Sequence, residues 1–315
     1  MLKILAEPCS NYEQNGKSFN FDLSLKFVIN YLSLDIKSIA SDYINGDIKN
    51  VKPLVGGDIN QAFLIAAENE NYVIKVNSSS LYPKMFHSES EGLSLLNSTG
   101  ANVPEVIKVF NKAGYQYILM KFIQKEPSGN DFWTNLGISL ARIHLKSETA
   151  FGLKFDNFIG SIPQKNSLKE NWSDFFIEHR LKPLVKKSYD LQLLKNSHLG
   201  HFQGLFKQLD QLIPKEKPSL LHGDFWSGNM ICGPHQNPYF IDPAVYFGHR
   251  EMDISMSFLF GGFDVNYLTS YREIYPLEPD WHARIDLHNL YPRLVHLVLF
   301  GSSYLPGIEK VIQKF

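Results

Sequence analysis

The sequence has few cysteines, no excess of charge and no long apolar segment. Cys9 and Cys232 are its only cysteines, too few for a disulfide framework or a cysteine-ligated metal cluster. The 31 Lys and Arg residues nearly balance the 32 Asp and Glu residues, so no general positive field would hold nucleic acid or an anionic membrane. No apolar segment approaches the ~20 residues that span a bilayer, and the N-terminus lacks a signal-peptide pattern. We expect a cytoplasmic protein without nucleic acid or membrane as a partner, and of unknown oligomeric state.

Two kinds of periodicity divide the chain. In the first part, short strand-like apolar segments alternate with turns, and a helix is predicted from Pro83 to Asn97. Another short helix is predicted from Asp22 to Leu32, after a loosely held lead-in over residues 1–21. Beyond Pro127 the apolar spacing becomes mainly helical. We predict an α+β protein with an N-terminal lobe over 1–121, a hinge over 122–129, and a C-terminal lobe over 130–315.

The strongest chemical signal is the motif HGDFWSGN at 222–229, which is followed by Asp242. Apolar segments on either side of the turn-rich Gly233–Pro238 predict a β-hairpin, and symmetric pairing would place Asn229 opposite Asp242. Magnesium prefers oxygen ligands, so these two side chains could hold it against ATP phosphates. A separate carboxylate must take the proton of the attacking hydroxyl, and Asp224 has the D-x-x-x-x-N spacing of protein kinases. That spacing alone is more often an ordinary turn, but the hairpin and the second aspartate favour a phosphoryl-transfer site.

The N-terminal part supplies a candidate lysine–glutamate pair, which such a site also needs. Lys75 lies in the strand-like segment Tyr72–Val76. By the helical period, Glu89 falls on the apolar stripe of the following helix, where a carboxylate is costly unless it is paired. Glu91 lies off that stripe. A strand lysine is by itself more often a surface residue, but the position of Glu89 leads us to predict a Lys75–Glu89 pair.

Two further segments are candidates for contacts to the nucleotide. Gly56 and Gly57 would allow backbone N–H groups to approach phosphates closely, although a plain hairpin turn looks the same and Asp58 adds a negative charge. The end of the last predicted strand could offer backbone groups to adenine, although a simple buried strand would look the same. The predicted adenine contacts are Met120, Lys121, Phe122 and Ile123.

These motifs resemble those of the fructosamine kinase (ketosamine kinase) family. Residues 222–229 are similar to the family's HGDLWSGN, with Phe225 in place of leucine, and residues 241–253 are similar to its DPAxYYGxREMD segment. GGDIN at 56–60 and DNFIG at 156–160 also match. The resemblance covers about residues 25 to 315 and implies a nucleotide-binding lobe over 1–121 and a catalytic and substrate-binding lobe over 130–315. It implies the two-lobed, protein-kinase-like fold of aminoglycoside phosphotransferases, with a small antiparallel sheet and one key helix in the N-lobe and a larger, mainly helical C-lobe.

The resemblance also implies a reaction and assigns roles to residues. The family transfers phosphate from ATP to the sugar 3-hydroxyl of ketosamines, the adducts of sugars with amines. The phosphorylated adduct decomposes, which repairs glycated protein. Asp224 would be the base, Asn229 and Asp242 the magnesium ligands, and Lys75 the phosphate contact. Acceptor contacts are expected, as hypotheses beside a plain packing role, from Trp226, Tyr246, Phe247 and His249.

Other residues near the motif are expected to be structural. His222 should bond to the backbone near Asp242. Arg250 and Asp253 resemble family positions that we assign to holding the catalytic loop. Some family members carry a redox-active cysteine in the glycine loop, and Asp58 occupies that position here, so no such disulfide is expected.

Other functions are compatible with parts of the pattern. A kinase of another small alcohol, such as an aminoglycoside or choline, would share the sparser HGDxxxxN motif and the later aspartate. A pseudokinase would bind nucleotide without turnover. A metal-dependent hydrolase could use the histidines and aspartates of the same segments, but it would leave Asn229, Lys75 and Glu89 without roles.

Overall fold

The strand-like segments of the N-terminal part pair into one antiparallel sheet. The computed structural model describes residues 36–54 and 60–315. The strands are β1 (Ile48–Leu54), β2 (Gln61–Ala67), β3 (Asn71–Ser78), β4 (Val106–Lys112) and β5 (Tyr115–Lys121). Their order in the sheet is β1-β2-β3-β5-β4. The predicted lead-in over 1–21, the predicted helix from Asp22 and the pair Gly56–Gly57 lie outside the described residues.

The strand period places Lys75 on the sheet face that looks away from the main N-lobe core. Alternate residues of β3, among them Ile74, are buried in the core formed with residues 36–48, because successive side chains of a strand point to opposite faces. Helix α1 (Met85–Asn97) covers part of the other face, where its Phe86 packs on Ile118 of β5. The sheet and α1 therefore hold Lys75 and the α1 side chains near each other.

The C-terminal part is mainly helical, as its apolar spacing predicts. Residues 122–129, the predicted hinge, contain no helix or strand, and their action as a hinge stays a prediction. The helices are α2 (Asn130–Leu145), α3 (Trp172–Phe175), α4 (Lys182–Asp190), α5 (Asn196–Leu212), α6 (Glu251–Ser257), α7 (Val265–Ile274), α8 (Trp281–His288), α9 (Leu290–Phe300) and α10 (Leu305–Ile312). A π-helical segment, Phe176–Leu181, joins α3 to α4. Within the described residues, no helix is long and apolar enough to cross a bilayer.

Three small two-stranded sheets carry the loops that matter for chemistry. The strands are β6 (Asn157–Ile159), β7 (Ile162–Gln164), β8 (Ser219–Leu221), β9 (Met230–Cys232), β10 (Pro238–Phe240) and β11 (Tyr246–Gly248). They pair as β6–β7, β8–β11 and β9–β10, all antiparallel. Because β8 leads into the 222–229 motif and β11 follows Asp242, the β8–β11 pair brings the two chemical segments together. The predicted α+β fold is confirmed, and its small antiparallel N-terminal sheet has five strands.

Candidate active site

The candidate catalytic loop, residues 222–229, has a glycine at its second position that no other residue could replace without moving the chain. Gly223 has φ +81°, and a Cβ placed on it would lie 2.1 Å from the carbonyl oxygen of Ala244. This close approach packs the 222–229 loop directly against the segment that follows Asp242. The Ala244 amide donates to the His222 carbonyl at 2.9 Å, so the two segments are also bonded through their backbones.

The hairpin after the loop forms, but its register differs by one residue from the predicted one. Met230 pairs with Phe240, and the Ile241 amide donates to the Asn229 carbonyl at 3.0 Å. Asn229 therefore lies opposite Ile241, and Asp242 is one residue beyond. The shift arises in the turn, where residues 235 and 236 have φ near +60° and close a shorter loop than symmetric pairing assumed. Asp242 itself has φ +53°.

Asp224 and Asn229 are in direct contact. The Asn229 amide Nδ2 donates to Asp224 Oδ2 at 2.8 Å and to the Asp224 carbonyl at 2.9 Å. Burial raises the pKa of Asp224 to about 7, and the hydrogen bond from Asn229 opposes that rise. An aspartate with this pKa is divided between its acid and base forms at neutral pH, which suits a group that exchanges protons during a reaction. Because Asn229 uses its nitrogen on Asp224, its Oδ1 is left for another partner.

Lys75 joins the two lobes. Its Nζ lies 2.7 Å from Glu89 Oε1 and also contacts Asp242 Oδ1. The Lys75 and Glu89 side chains are each 11% exposed, whereas that of Asp242 is 45% exposed. Burial alone would lower the pKa of Lys75, but the two carboxylates outweigh it and hold the pKa above its ordinary value. Lys75 is therefore a charged ammonium between the glutamate of α1 and the aspartate after the hairpin, which is the predicted pair with one partner added.

Asp253 of α6 holds the start of the catalytic loop from behind. Its buried carboxylate accepts from the His222 amide at 2.7 Å and the Gly223 amide at 3.0 Å. His144 of α2 lies 3.2 Å from the same carboxylate and bonds to Tyr271 on its other side. His222 bonds through Nε2 to the Ile241 carbonyl at 3.0 Å. This is the contact near Asp242 that the motif predicts.

Arg250 has a structural role, but at another place than the one predicted. It forms a two-pronged ion pair with Glu216, with distances of 2.7 and 2.8 Å. It also donates to the carbonyls of Tyr275 and Pro276. Arg250 therefore ties the chain before β8 to the end of α7, whereas Asp253 holds the catalytic loop itself.

A cleft of about 470 Å³ is lined by the Lys75–Glu89 pair and by Asp224, Asn229 and Asp242. It has an apolar N-lobe side, formed in part by Val73, Leu93 and Met120, and a polar floor that contains the candidate catalytic side chains. The four residues predicted to contact adenine, 120–123, all line it. The Phe122 amide already donates to the Asn71 carbonyl at 2.9 Å. A planar base in this cleft would therefore have to use other backbone groups of the segment, such as the amide of Ile123.

The sequence profile of the fructosamine kinase family matches residues 34–315. The chain belongs to the fructosamine kinase family. A relative from Enterococcus faecium, named a probable ketoamine kinase, is 35% identical over 288 residues, which cover 90% of this chain and all of that one. A rice relative, named protein-ribulosamine 3-kinase, chloroplastic, is 33% identical over 279 residues, or 85% of this chain and 79% of that one.

A solved structure shows the same fold. A crystal structure from Thermobifida fusca that carries the name fructosamine-3-kinase has a TM-score of 0.80 and 26% identity, and the match covers 88% of this chain and 97% of that one. The family resemblance and the protein-kinase-like fold inferred from the motifs are both confirmed. As a fructosamine kinase family member, the chain is a phosphotransferase with an alcohol group as acceptor.

Four side chains were predicted to contact the acceptor, and one of them lies in the cleft. Trp226 lines the cleft and is 36% exposed. Its ring covers Gly228, where an added Cβ would lie 2.1 Å from the indole, and it meets Phe260 edge-on at 5.9 Å. A flat apolar surface two residues beyond Asp224 is therefore available at the cleft.

The other three acceptor candidates, Tyr246, Phe247 and His249, are buried in the C-lobe. Tyr246 stacks on Phe175 at 5.6 Å, and Phe247 lies in the β8–β11 pair. His249 is fully buried, bonds to the Pro214 carbonyl at 3.2 Å and stacks on His288 at 5.2 Å. The structure therefore gives these three side chains packing contacts in place of the predicted acceptor contacts, because β11 and the residue that follows it are buried in the C-lobe.

Asn157 and Phe158 also line the cleft, although sequence reasoning assigned them no role. They belong to the DNFIG segment at 156–160, which matches the family pattern. That match was the available signal. The sequence pattern could not predict that β6 packs beside α1 and faces residues 222–229.

The buried position of His249 predicts how stability depends on pH. Burial, helped by His288, lowers the pKa of His249 to about 4, whereas an unfolded chain binds that proton near pH 6.5. The stabilising effect of the neutral ring is therefore present above pH 6.5 and is lost as the pH falls toward 4. His249→Gln keeps a donor and an acceptor without titrating. Between pH 7 and pH 5, we expect the free energy of unfolding of the wild type to fall by about 2 kcal/mol more than that of His249→Gln.

Urea unfolding of both proteins at the two pH values measures the difference. The exposed His235→Gln serves as the control and should track the wild type at both. If the free energy of unfolding falls equally in the wild type and in His249→Gln, the buried, neutral state of His249 is contradicted.

Proposed function

We propose that this protein is an ATP- and Mg²⁺-dependent kinase that phosphorylates the sugar 3-hydroxyl of ketosamines. The observation that carries the proposal is the convergence of two carboxylates, an amide and a buried ammonium on one cleft in a member of the fructosamine kinase family. These are the group types that phosphoryl transfer requires.

Asp224 is the proposed base. Its carboxylate lies in the cleft, and the hydrogen bond from Asn229 to Oδ2 fixes its orientation. Oδ1 can then accept the proton of a substrate hydroxyl as that oxygen attacks the γ-phosphate. The pKa near 7 lets the carboxylate be ionised before the attack and retain the proton afterwards.

Asn229 and Asp242 fit a magnesium site. The Asn229 nitrogen is used on Asp224, which leaves an amide oxygen, and Asp242 offers a half-exposed carboxylate. Both are oxygen donors of the kind that Mg²⁺ prefers, and few protein ligands suffice when ATP phosphates supply the others. When bound, Mg²⁺ neutralises charge on the phosphates of ATP.

Lys75 is the proposed phosphate contact. Glu89 holds the ammonium at the cleft from the α1 side, and Asp242 contacts it from the C-lobe side. A nucleotide phosphate would offer a stronger negative partner than Asp242 alone. Lys75 would then turn toward the phosphate while Glu89 keeps the side chain in place, and the Asp242 carboxylate would be released for the metal.

The acceptor assignment draws on the relatives and on Trp226. The rice relative is named a protein-ribulosamine 3-kinase and the Enterococcus faecium relative a probable ketoamine kinase. Trp226 presents an indole face at the cleft, two residues beyond the proposed base. Indole faces bind sugar C–H surfaces and cationic amines, and a ketosamine carries both. Phosphorylation at the 3-hydroxyl would make the adduct decompose, a deglycation repair.

The reaction is tested by ADP release from ATP with a panel of acceptors. Fructose-, ribulose- and erythrulose-lysine should be phosphorylated in the presence of Mg²⁺, and aminoglycosides and choline should not. Asp224→Asn should lower kcat by 10²-fold or more because it removes the base, with the KM for ATP changed less than threefold.

Two outcomes would contradict parts of the proposal. Turnover of choline or an aminoglycoside but of no ketosamine would overturn the acceptor assignment and leave a kinase. Near-normal kcat in Asp224→Asn would overturn the choice of base.

Trp226→Ala tests the acceptor contact separately. Loss of one aromatic stacking contact, worth about 1 kcal/mol, should raise the KM for a ketosamine roughly fivefold and leave the KM for ATP unchanged. Tyr115→Ala, which removes an exposed aromatic side chain on β5, is the control and should change neither KM. An unchanged ketosamine KM in Trp226→Ala would show that the indole packs against the loop without touching the acceptor.

A further inference from the structure

A buried polar network extends from Asn157 at the cleft wall into the C-lobe, and the proposed chemistry uses none of its side chains directly. Each of its five side chains is at most 4% exposed. They come from β6, β7, the loop after β7, the π-helical segment and α9. The members are Asn157, Gln164, Asn166, Arg180 and Tyr291.

Arg180 is the charged end of this network. Its guanidinium donates to the Lys165 carbonyl at 2.6 Å and to Asn166 Oδ1 at 2.7 Å, so these bonds go to neutral oxygens. It also lies over the ring of Tyr246, 4.0 Å from the centroid. A buried charge is costly and has to be satisfied by its surroundings. The guanidinium therefore fixes the Asn166 side chain in one orientation.

Hydrogen bonds between the amide side chains fix the orientation of the next members of the network. Asn166 Nδ2 donates to Asn157 Oδ1 at 2.9 Å, and Gln164 Nε2 donates to the same oxygen at 2.8 Å. The Tyr291 hydroxyl donates to Gln164 Oε1 at 2.6 Å. Each amide thus has its oxygen and nitrogen assigned by its neighbours, and a flip of any one would break bonds in a buried site.

The network ends on the backbone that follows Asp242. Gln164 Nε2 donates to the Ala244 carbonyl at 3.1 Å, and Asn157 Nδ2 donates to the Val245 carbonyl at 2.8 Å. Asp242, two residues earlier, has φ +53°, a left-handed conformation that is uncommon for a residue other than glycine. Ala244 also packs against Gly223. The network therefore holds the junction between the loops of Asp242 and Asp224.

We propose that these five side chains are positioning residues for Asp242, and that they set the affinity of the cleft for the divalent cation that accompanies the nucleotide. The inference rests on the proposed function, since it takes Asp242 as a cation ligand. It goes further by assigning cation affinity to residues that do not touch the cation. Loss of one network bond should raise the Kd for the cation in the presence of nucleotide. A substitution elsewhere that lowers the unfolding midpoint equally should leave that Kd unchanged.

The test measures Mn²⁺ binding to the full chain in the presence of saturating AMP-PNP, by the loss of the free Mn²⁺ signal in electron paramagnetic resonance. Tyr291→Phe removes one hydroxyl and preserves the ring. It should raise the Kd for Mn²⁺ about threefold. Gln164→Met keeps the volume and removes both bonds to Asn157 and Ala244, and it should raise that Kd tenfold or more. The KM for Mg²⁺ in ADP release should rise in parallel, with kcat at saturating Mg²⁺ within twofold of the wild type.

Tyr267→Phe is the matched control. Its hydroxyl is equally buried and bonds to Ser257, outside the network. It should lower the unfolding midpoint as much as Tyr291→Phe does while leaving the Kd for Mn²⁺ at the wild-type value.

Asp242→Ala separates the positioning role from the metal assignment. If it abolishes Mn²⁺ binding while Tyr291→Phe and Gln164→Met bind like the wild type, the positioning role is overturned and the proposed function stands. The positioning role is also overturned if Tyr267→Phe weakens binding as much as Tyr291→Phe. If Asp242→Ala leaves Mn²⁺ binding unchanged, both the metal assignment and the positioning role fall. Tyr291→Phe decides the question should Gln164→Met fail to fold.

Discussion

The contact of one buried ammonium with two carboxylates joins the parts of this protein that chemistry requires. Lys75 belongs to the N-terminal sheet, Glu89 to α1, and Asp242 to the segment after the β9–β10 hairpin. Lys75 and Glu89 are largely shielded from water, so their attraction is screened much less than that of a surface pair. Removing either would leave an uncompensated charge, which is costly in a buried site. This contact therefore links the sheet, the helix and the hairpin at the cleft.

The two aspartates of the cleft, Asp224 and Asp242, are both in states that cost free energy in the folded protein. Asp242 has a left-handed backbone, and burial keeps Asp224 partly protonated at neutral pH. Such features persist only where surrounding bonds enforce them. Here Asp253 fixes the backbone before Asp224, and the buried network behind the cleft fixes the backbone after Asp242. Lys75 holds the same aspartate from the front. The scaffold thus fixes two carboxylates from opposite sides and leaves their oxygens in the cleft.

Local patterns in the sequence predicted much of this site. The spacing of Asp224 and Asn229 is a local property, and their contact follows from one short loop. The helical phase of Glu89 pointed to a buried partner, and the strand Lys75 is that partner. The predicted hairpin register was wrong by one residue because left-handed residues in the turn shorten the loop. The sequence does not predict that conformation for residues other than glycine.

Side-chain direction and long-range packing were not readable in the same way. Tyr246 and His249 follow the 222–229 motif and look like wall residues in the sequence, but Tyr246 lies in β11, which pairs with β8, and both side chains are buried. Arg180 carries no local sign of its surroundings, since its partners come from segments far apart along the chain. Its burial is a product of tertiary structure.

The central claim is that Asn229 and Asp242 hold the cation and that Lys75 holds the phosphates. The most direct measurement is a crystal structure with Mn²⁺ and AMP-PNP, in which anomalous scattering locates the metal. We expect Mn²⁺ bound to the Asn229 amide oxygen, the Asp242 carboxylate and phosphate oxygens, with Lys75 bonded to a phosphate and still paired with Glu89. Mn²⁺ bound away from Asp242, or Lys75 still paired with Asp242 and apart from the phosphates, would contradict this claim.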